Sequence, residues 1–448
     1  MREPICFYGD DFTGAAANLL EFHCHGLRGV LFVDTPSAAQ LTAYRGKADV
    51  IGIAGVSRSL APAAMEQEVR PAFELFRTMG ARLIQYKICA TFDSSPVRGN
   101  FGTVLELART LFGTRTIPIV PAHPDFGRYT VFGNHFSVYQ DSVFRLDRHP
   151  SMANHPATPM HEADLRRHLA AQTALPIALC DLPSLRAASD GALDDLLASS
   201  DAAATVFDAI ERRDLVTVAR AAWRASRQQP LFTLSAHGFA AGLGSHLAEL
   251  GETGTVSHAP QKPVESLVVL SGSCSPRTAS QIAYAQAHGW RTLRLPVEKF
   301  GTQDETQVVE QLVAEILDAL AARRSIIVYA AAGPDDASIA AGRSVFDSMA
   351  TESSAVIGGV YGAVLRRVVA SRRLSRVVLA GGDTSSQTMR RLGVEALTID
   401  AVNTATNEAF MRVHAQGSPF DGMQVLLKAG QNGTEDYLGR ALEGDGWV

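Results

Sequence analysis

The chain has 448 residues and a net charge of −5, with 46% hydrophobic and 19% charged residues. That length exceeds one compact core and leads us to expect a globular protein of two domains. The acidic balance, without any Lys/Arg cluster, argues against a nucleic-acid partner, and no run approaches the roughly 18 apolar residues of a bilayer span, so no membrane is expected.

The opening "MREPICFYGDDF" enters a strand within four residues and lacks the pattern of a signal peptide. The five cysteines (Cys6, Cys24, Cys89, Cys180 and Cys274) are scattered without a CxxC pair. Reduced thiols in a cytoplasmic protein fit this usage better than a disulfide frame. "ICFYGDD" leads into the helical "TGAAANLLEFHCHG", and "GVLFVD", "VIGIAGVS" and "RLIQYKI" follow as strands between helix-length segments. "FGTVLELARTLFG" reads as a helix and "TIPIVPA" as a strand. "TVFGNHFSVYQDSVFRLD" breaks the rhythm and resembles a hairpin or flap. "IALCDL", "ATVFDA" and "LFTLSA" resume the alternation, which ends in the helical "FAAGLGSHLAEL". The aperiodic, polar "GETGTVSHAPQKPVES" marks a linker near 251–265. A second series begins after it: "SLVVLSGSC", "TLRLPV", "SIIVYAAAG", "RVVLAGGDTS", "ALTI" and "MQVLLKAG". The expected fold is α/β, two α/β domains (1–250 and 266–448) with mostly parallel sheets and a cleft between them.

Three strand ends of the second series carry similar chemistry. "VVLSGSC" presents Ser271 and Ser273, "VVLAGGDTS" presents Gly381, Gly382, Asp383 and Thr384, and "LLKAGQNG" presents Lys428 and Gly430. Glycines admit close backbone approach and hydroxyls cap helices or donate to phosphate, so these ends are read as a nucleotide site. Asp383 is the candidate Mg2+ ligand. Neither a Walker A sequence nor a placed GxGxxG occurs.

In the first series, Asp10 and Asp11 follow a strand and precede a helix. Such a pair suits a metal or a general base acting on a hydroxyl; the plainer alternative is a helix cap. Strand alternation would turn the two to opposite sides, one toward substrate and one toward the helix. Arg58 ends another strand, and "YKICATFDSSPVRGNFG" gathers Lys87, Thr91, Asp93, Ser94, Arg98 and Asn100. Cations there would grip a carboxylate, while Asp and Asn would take hydroxyls, as a small polyhydroxy acid requires. His149, His155 and His161 lie six apart with prolines between them, which suits an ordered loop rather than zinc. "HCH" at 23–25 reads as packing and surface.

Taken together, "DDFTGA" (10–15), "SGSCSPRTASQI" (271–282), "GGDTS" (381–385) and "KAGQNGTEDYL" (428–438) resemble the four-carbon acid sugar kinase family over essentially the whole chain. The resemblance implies an N-terminal acid-sugar domain, a C-terminal ATP-binding domain and phosphoryl transfer from ATP, with Mg2+, to a substrate hydroxyl. Threonate, erythronate, 3-oxo-tetronates and 3-oxo-isoapionate are substrates within the family. Many members read K-x-x-D-S-T-x-R-G-N-x-G where this chain has the longer "KICATFDSSPVRGNFG", and "RLDRHPSMANHPATPM" marks a distinct subgroup. Both departures point away from straight-chain threonate toward a branched or oxidised acid. Two other readings stand beside the kinase: a nicotinamide-dependent sugar-acid dehydrogenase, disfavoured by the missing GxGxxG, and a non-catalytic sugar-acid-binding protein. A homodimer stays open.

Overall fold

The computed structural model describes residues 3–44, 46–155, 157–199, 201–256, 259–300, 305–349, 352–403 and 406–448. The chain divides into two compact units, 1–256 and 257–448.

In the first unit, β1 (Ile5–Gly9), β2 (Gly29–Phe32), β3 (Val50–Ala54), β4 (Leu83–Lys87) and β5 (Ile117–Val120) alternate with helices. Next come β6 (Arg128–Val131), β7 (Asn134–Tyr139) and β8 (Ser142–Arg145), an antiparallel sheet of their own where the sequence suggested a hairpin. Then β9 (Ile177–Cys180), β10 (Ala204–Phe207) and β11 (Leu231–Ser235) complete the main sheet, in the order β2-β3-β1-β4-β11-β5-β10-β9. Every pairing in it is parallel. Helices on both faces explain why β1, β3 and β4 are buried along their whole length. Phe73 anchors one layer, packing edge-on against Phe232 (centroids 5.1 Å apart) and Tyr86 (6.3 Å). Removing a ring so enclosed costs about 3–5 kcal/mol.

In the second unit, β12 (Val268–Ser271), β13 (Arg291–Arg294), β14 (Ile326–Tyr329), β15 (Arg376–Ala380), β16 (Ala396–Asn403), β17 (Glu408–His414) and β18 (Gln424–Lys428) are arranged β13-β14-β12-β15-β18-β17-β16. The first five in that order run parallel, and β17 is antiparallel to both its neighbours. The strand β17, "EAFMRVH", is absent from the sequence reading. Its apolar and polar residues alternate only loosely, and it is recognisable mainly by its pairing. The core beneath gathers Leu267, Val269, Ile282, Val378, Phe410, Leu426, Tyr437 and Trp447. Among the described residues one helix, Ser353–Ser371, is long and apolar enough to cross a membrane, where the sequence suggested no such run. Half of its apolar window is buried in the protein, with Ile357, Val360, Tyr361, Val364 and Leu365 inside, which suits a core helix of this unit.

Candidate active site

In a parallel sheet, ligands collect beyond the carboxyl ends of the strands. In the first unit the chemistry-bearing residues lie at five adjacent ends. Strand β1 stops at Gly9, so strand alternation no longer governs Asp10 and Asp11; both carboxylates turn to the same cations. The Asp10 N–H donates to the Lys87 carbonyl (3.0 Å), and the Arg58 N–H donates to the Asp10 carbonyl (3.2 Å). Arg58 sits in a short 3-10 turn, Ser57–Ser59, that the Ser57 hydroxyl ties to Tyr86 (2.8 Å). Its guanidinium donates to Asp10 through Nε (3.1 Å) and Nη2 (2.8 Å), and to Asp11 through Nη2 (2.7 Å). Lys87 Nζ donates to Asp11 Oδ1 (3.2 Å) and lies 3.7 Å from Asp10 Oδ1. Asp11 also caps the helix Phe12–Cys24, accepting from the Gly14 N–H (3.2 Å) and the Thr13 hydroxyl (2.7 Å). Gly14 makes room for the ammonium: a Cβ there would lie 1.6 Å from Lys87 Nζ, so Lys87 would have to move.

The environments of the two acids push them apart. Burial raises the Asp10 carboxyl; Arg58 and Lys87 offset this only in part, and the charge of Asp11 adds to it. Burial opposes ionisation of Asp11 too, but Arg58, Lys87 and the Thr13 hydroxyl outweigh it and hold that carboxyl far below the usual range. Burial also works against the charge on Arg58, yet Asp10 and Asp11 keep it firmly protonated. One carboxylate is thus locked as an anion while its neighbour is the easier to protonate.

The loop after β4 is tied largely to itself. Thr91 donates to Asp93 (2.7 Å), and Ser94 bonds to His168 (2.9 Å) and accepts from Gln172 (3.0 Å). Asn100 caps the helix Phe101–Phe112 by accepting from the Thr103 N–H (2.8 Å), and Gly113 closes that helix in the left-handed conformation. The Arg98 N–H donates to Ser95 Oγ (3.0 Å), while its side chain is partly exposed. Asp93, Ser94 and Asn100 are buried. These three hold the loop's shape, whereas Arg58, in the turn after β3, and Lys87, the last residue of β4, carry the positive charge beside it. His149 accepts from the Ser151 and Met152 N–H groups, and His155 from that of Thr158, as an ordered loop requires. Sequence reasoning missed His237, which opens a helix directly after β11, and His123, which follows β5. Placement at a strand-to-helix handover, the same signal that marked Asp10, was there to be read for His237.

In the second unit β12, β15 and β18 are neighbours, which brings the three glycine-rich ends together. The Gly272 N–H donates to the Ala380 carbonyl (2.9 Å) and the Gly381 N–H to the Lys428 carbonyl (2.9 Å). Close approach explains the glycines: a Cβ at Gly272 would lie 2.2 Å from Thr384 Oγ1, and one at Gly430 2.7 Å from Ser273 Oγ. Gly381 has φ of 109° and begins the helix Gly382–Arg391 without any side-chain cap. Its first turn holds Asp383, exposed, and Thr384, buried. Ser275 caps the helix Pro276–Ala287 through the Thr278 N–H (3.1 Å). The Gly430 carbonyl accepts from Ser275 (2.5 Å), Thr278 (3.1 Å) and Lys428 Nζ (3.3 Å). Burial lowers the Lys428 amine to about 8, against the opposing pull of Glu408. Among the described residues, the buried hydroxyls of Ser271 and Ser385 have no hydrogen-bond partner. An uncapped helix start, glycines without room for a side chain and unpaired hydroxyls together fit a polyphosphate.

Residues 5–243 match the model of a sugar-binding N-terminal domain, and residues 268–438 that of a nucleotide-binding C-terminal domain. Fold and site thus define a protein that binds a sugar on one unit and a nucleotide on the other. A 3-oxo-isoapionate kinase of Paraburkholderia graminis is 34% identical over 98% of this chain and 94% of its own. A 3-oxo-tetronate kinase of Methylobacterium radiotolerans is 30% identical over 97% of each. The chain belongs to the four-carbon acid sugar kinase family. Two solved structures share its fold: a Salmonella typhimurium LT2 protein (TM-score 0.77, 23% identity, 98% of each chain) and a Haemophilus influenzae protein (TM-score 0.69, 24% identity, 97% of this chain and 98% of its own).

Proposed function

We propose that this protein transfers the γ-phosphoryl group of ATP to a hydroxyl of a small 3-oxo acid sugar, with 3-oxo-isoapionate and 3-oxo-tetronate as the leading candidates. The observation that carries the reading is the buried Asp10–Asp11–Arg58–Lys87 cluster at the strand ends of the sugar-binding unit. The names and similarity of the relatives support the substrate class. The five free cysteines support a reducing, cytoplasmic setting.

Phosphoryl transfer asks a protein for positioning and charge neutralisation more than for covalent chemistry. Asp10 is the base: its raised proton affinity suits it to take the proton of the attacking hydroxyl. Asp11 stays ionised, caps its helix and holds Lys87 and Arg58 in place. Arg58 and Lys87 are both paired with the two aspartates, but Arg58 is held by three hydrogen bonds and Lys87 by one, so Lys87, together with Arg98 on the adjoining loop, is the cation that can turn to the substrate carboxylate. Ser94 and Asn100 fix that loop, and Thr91 with Asp93 borders it. In the nucleotide unit the backbone around Gly272, Gly381, Gly382 and Gly430 lets phosphates approach, while Ser271, Ser273 and Thr384 offer hydroxyls. Lys428 adds positive charge once released from the Gly430 carbonyl. Asp383, exposed in the first helical turn, is the residue that would hold Mg2+. Bound Mg2+-ATP supplies the phosphoryl group with part of its charge already neutralised.

An ADP-release assay over a panel of tetronates, 3-oxo-tetronates and branched 3-oxo acids tests the reading. Turnover with at least one oxo acid is expected to exceed that with threonate. Inactivity across the panel, in a protein that still binds ATP, would overturn the substrate class.

A further inference from the structure

Beside the charged cluster, on the same sheet edge, lies a second group of side chains that the phosphoryl-transfer reading does not use. Glu21 projects from the helix Phe12–Cys24, His123 follows β5 and His237 follows β11. One potential ligand atom from each lies within 4.8 Å of the other two, and His123 Nε2 is 3.8 Å from Glu21 Oε1. Donors placed 2.0–2.1 Å from a tetrahedral ion are about 3.4 Å apart, so small side-chain adjustments close the difference.

The two imidazoles are held by rigid elements. Neighbouring strands carry them, pinned where the Ala236 N–H donates to the Val120 carbonyl (2.9 Å). The main chain of His123 exchanges hydrogen bonds with Arg128 in both directions (3.0 and 3.1 Å). Its ring stacks on Phe126 (centroids 4.5 Å apart) and meets the ring of His237 at 4.2 Å. Gly238 leaves it room, since a Cβ there would lie 2.6 Å from His123 Cδ2. His123 is 1% exposed, yet among the described residues neither of its ring nitrogens has a hydrogen-bond partner, and Nδ1 of His237 has none. Leaving such groups unsatisfied costs about 1–3 kcal/mol each, so a structure that retains them together invites a ligand.

From this geometry we infer that Glu21, His123 and His237 bind a first-row divalent transition-metal ion. Two imidazoles and one carboxylate suit zinc, iron or manganese, and three protein donors leave at least one position for water or a substrate oxygen. That pattern belongs to reactive sites rather than closed structural ones.

The test uses the full chain, stripped with chelator, dialysed against zinc and measured by mass spectrometry of bound metal and by titration calorimetry. The expected result is one zinc per chain, with at least tenfold weaker binding in His237→Ala and in Glu21→Gln, the lower end of what even outer-shell changes cost at metal sites. Cobalt in place of zinc should give visible ligand-field bands that both variants lose. His123→Asn is the fallback where an alanine variant unfolds, and circular dichroism checks each fold. Zinc uptake that is absent from the wild type, or equal in wild type and folded variants, overturns the inference.

Discussion

Replacing the two aspartates separately by asparagine should give opposite outcomes, because their surroundings differ. Asp10→Asn keeps the shape of the side chain and one acceptor for Arg58, which still has Asp11 at 2.7 Å. Burial disfavours its ionised form more than Arg58 and Lys87 can offset, so its removal relieves part of that cost. We expect a stability loss of about 1–2 kcal/mol, near that of one or two ordinary hydrogen bonds. Turnover, however, should fall by roughly 10² to 10⁴, the range of a lost general base. Asp11→Asn should do the reverse in weight. The amide can still accept from the Gly14 N–H, and the Thr13 hydroxyl can turn to accept from it. What disappears is the anion that Arg58 and Lys87 share. Breaking a buried pair costs about 3–5 kcal/mol, reduced here because Asp10 remains, so about 2–4 kcal/mol is expected. In a unit of this size that lowers the melting temperature by roughly 4–16 °C. Coupled ADP-release kinetics and thermal melts on both variants decide the matter. Near-normal turnover in a folded Asp10→Asn protein, or a larger stability loss there than in Asp11→Asn, would refute the division of roles.

Gly14→Ala should displace Lys87 from Asp11, since its Cβ would fall on the ammonium; a raised KM for the acid with little change in KM for ATP is expected in steady-state kinetics. The KM for ATP should rise about tenfold between pH 7 and pH 9 as Lys428 loses its proton near 8, and Lys428→Arg should flatten that profile. Because the folded value lies below the ordinary 10.5, the unfolded chain binds more protons between about pH 8 and 10.5, so stability gains from this lysine as pH rises through that window. Gly381→Ala forces a side chain into φ of 109° and should cost about 1–3 kcal/mol in a urea melt while weakening ATP binding. Asp383→Ala should raise the Mg2+ concentration needed for half-maximal rate, and an unchanged requirement would remove Asp383 from the metal's surroundings.

The nucleotide end was the more legible half of the molecule. "SGS", "GGDTS" and "KAGQNG" each announce a strand running into a turn, and the parallel neighbours β12, β15 and β18 convert three similar words into one place. The charged end was legible in its residues but not in its wiring. Nothing in "GDD" says that the strand stops at Gly9 and lets both carboxylates face one guanidinium, or that Arg58 is spent on them. Asn100 and Ser94 hold the loop, and because loop-holding and ligand-holding draw on the same polar side chains, the sequence alone does not separate the two roles. Glu21, His123 and His237 escaped notice because three distant segments supply them and only the strand order brings them together.

The neighbourhood of β12, β15 and β18 also bears on how the protein is made. Strand β12 leaves the ribosome well before β18, and β18 reaches its place beside β15 only after the antiparallel strands β16 and β17 have been made. Pairings so remote in sequence form slowly and late, after loop closure has been overcome. Until then the second unit exposes the unpaired edge of β15, the kind of surface that sticks to other chains. If these three ends cradle the phosphates of ATP as proposed, a growing chain lacks the complete site, and ATP can favour only the molecule whose last central strand has docked.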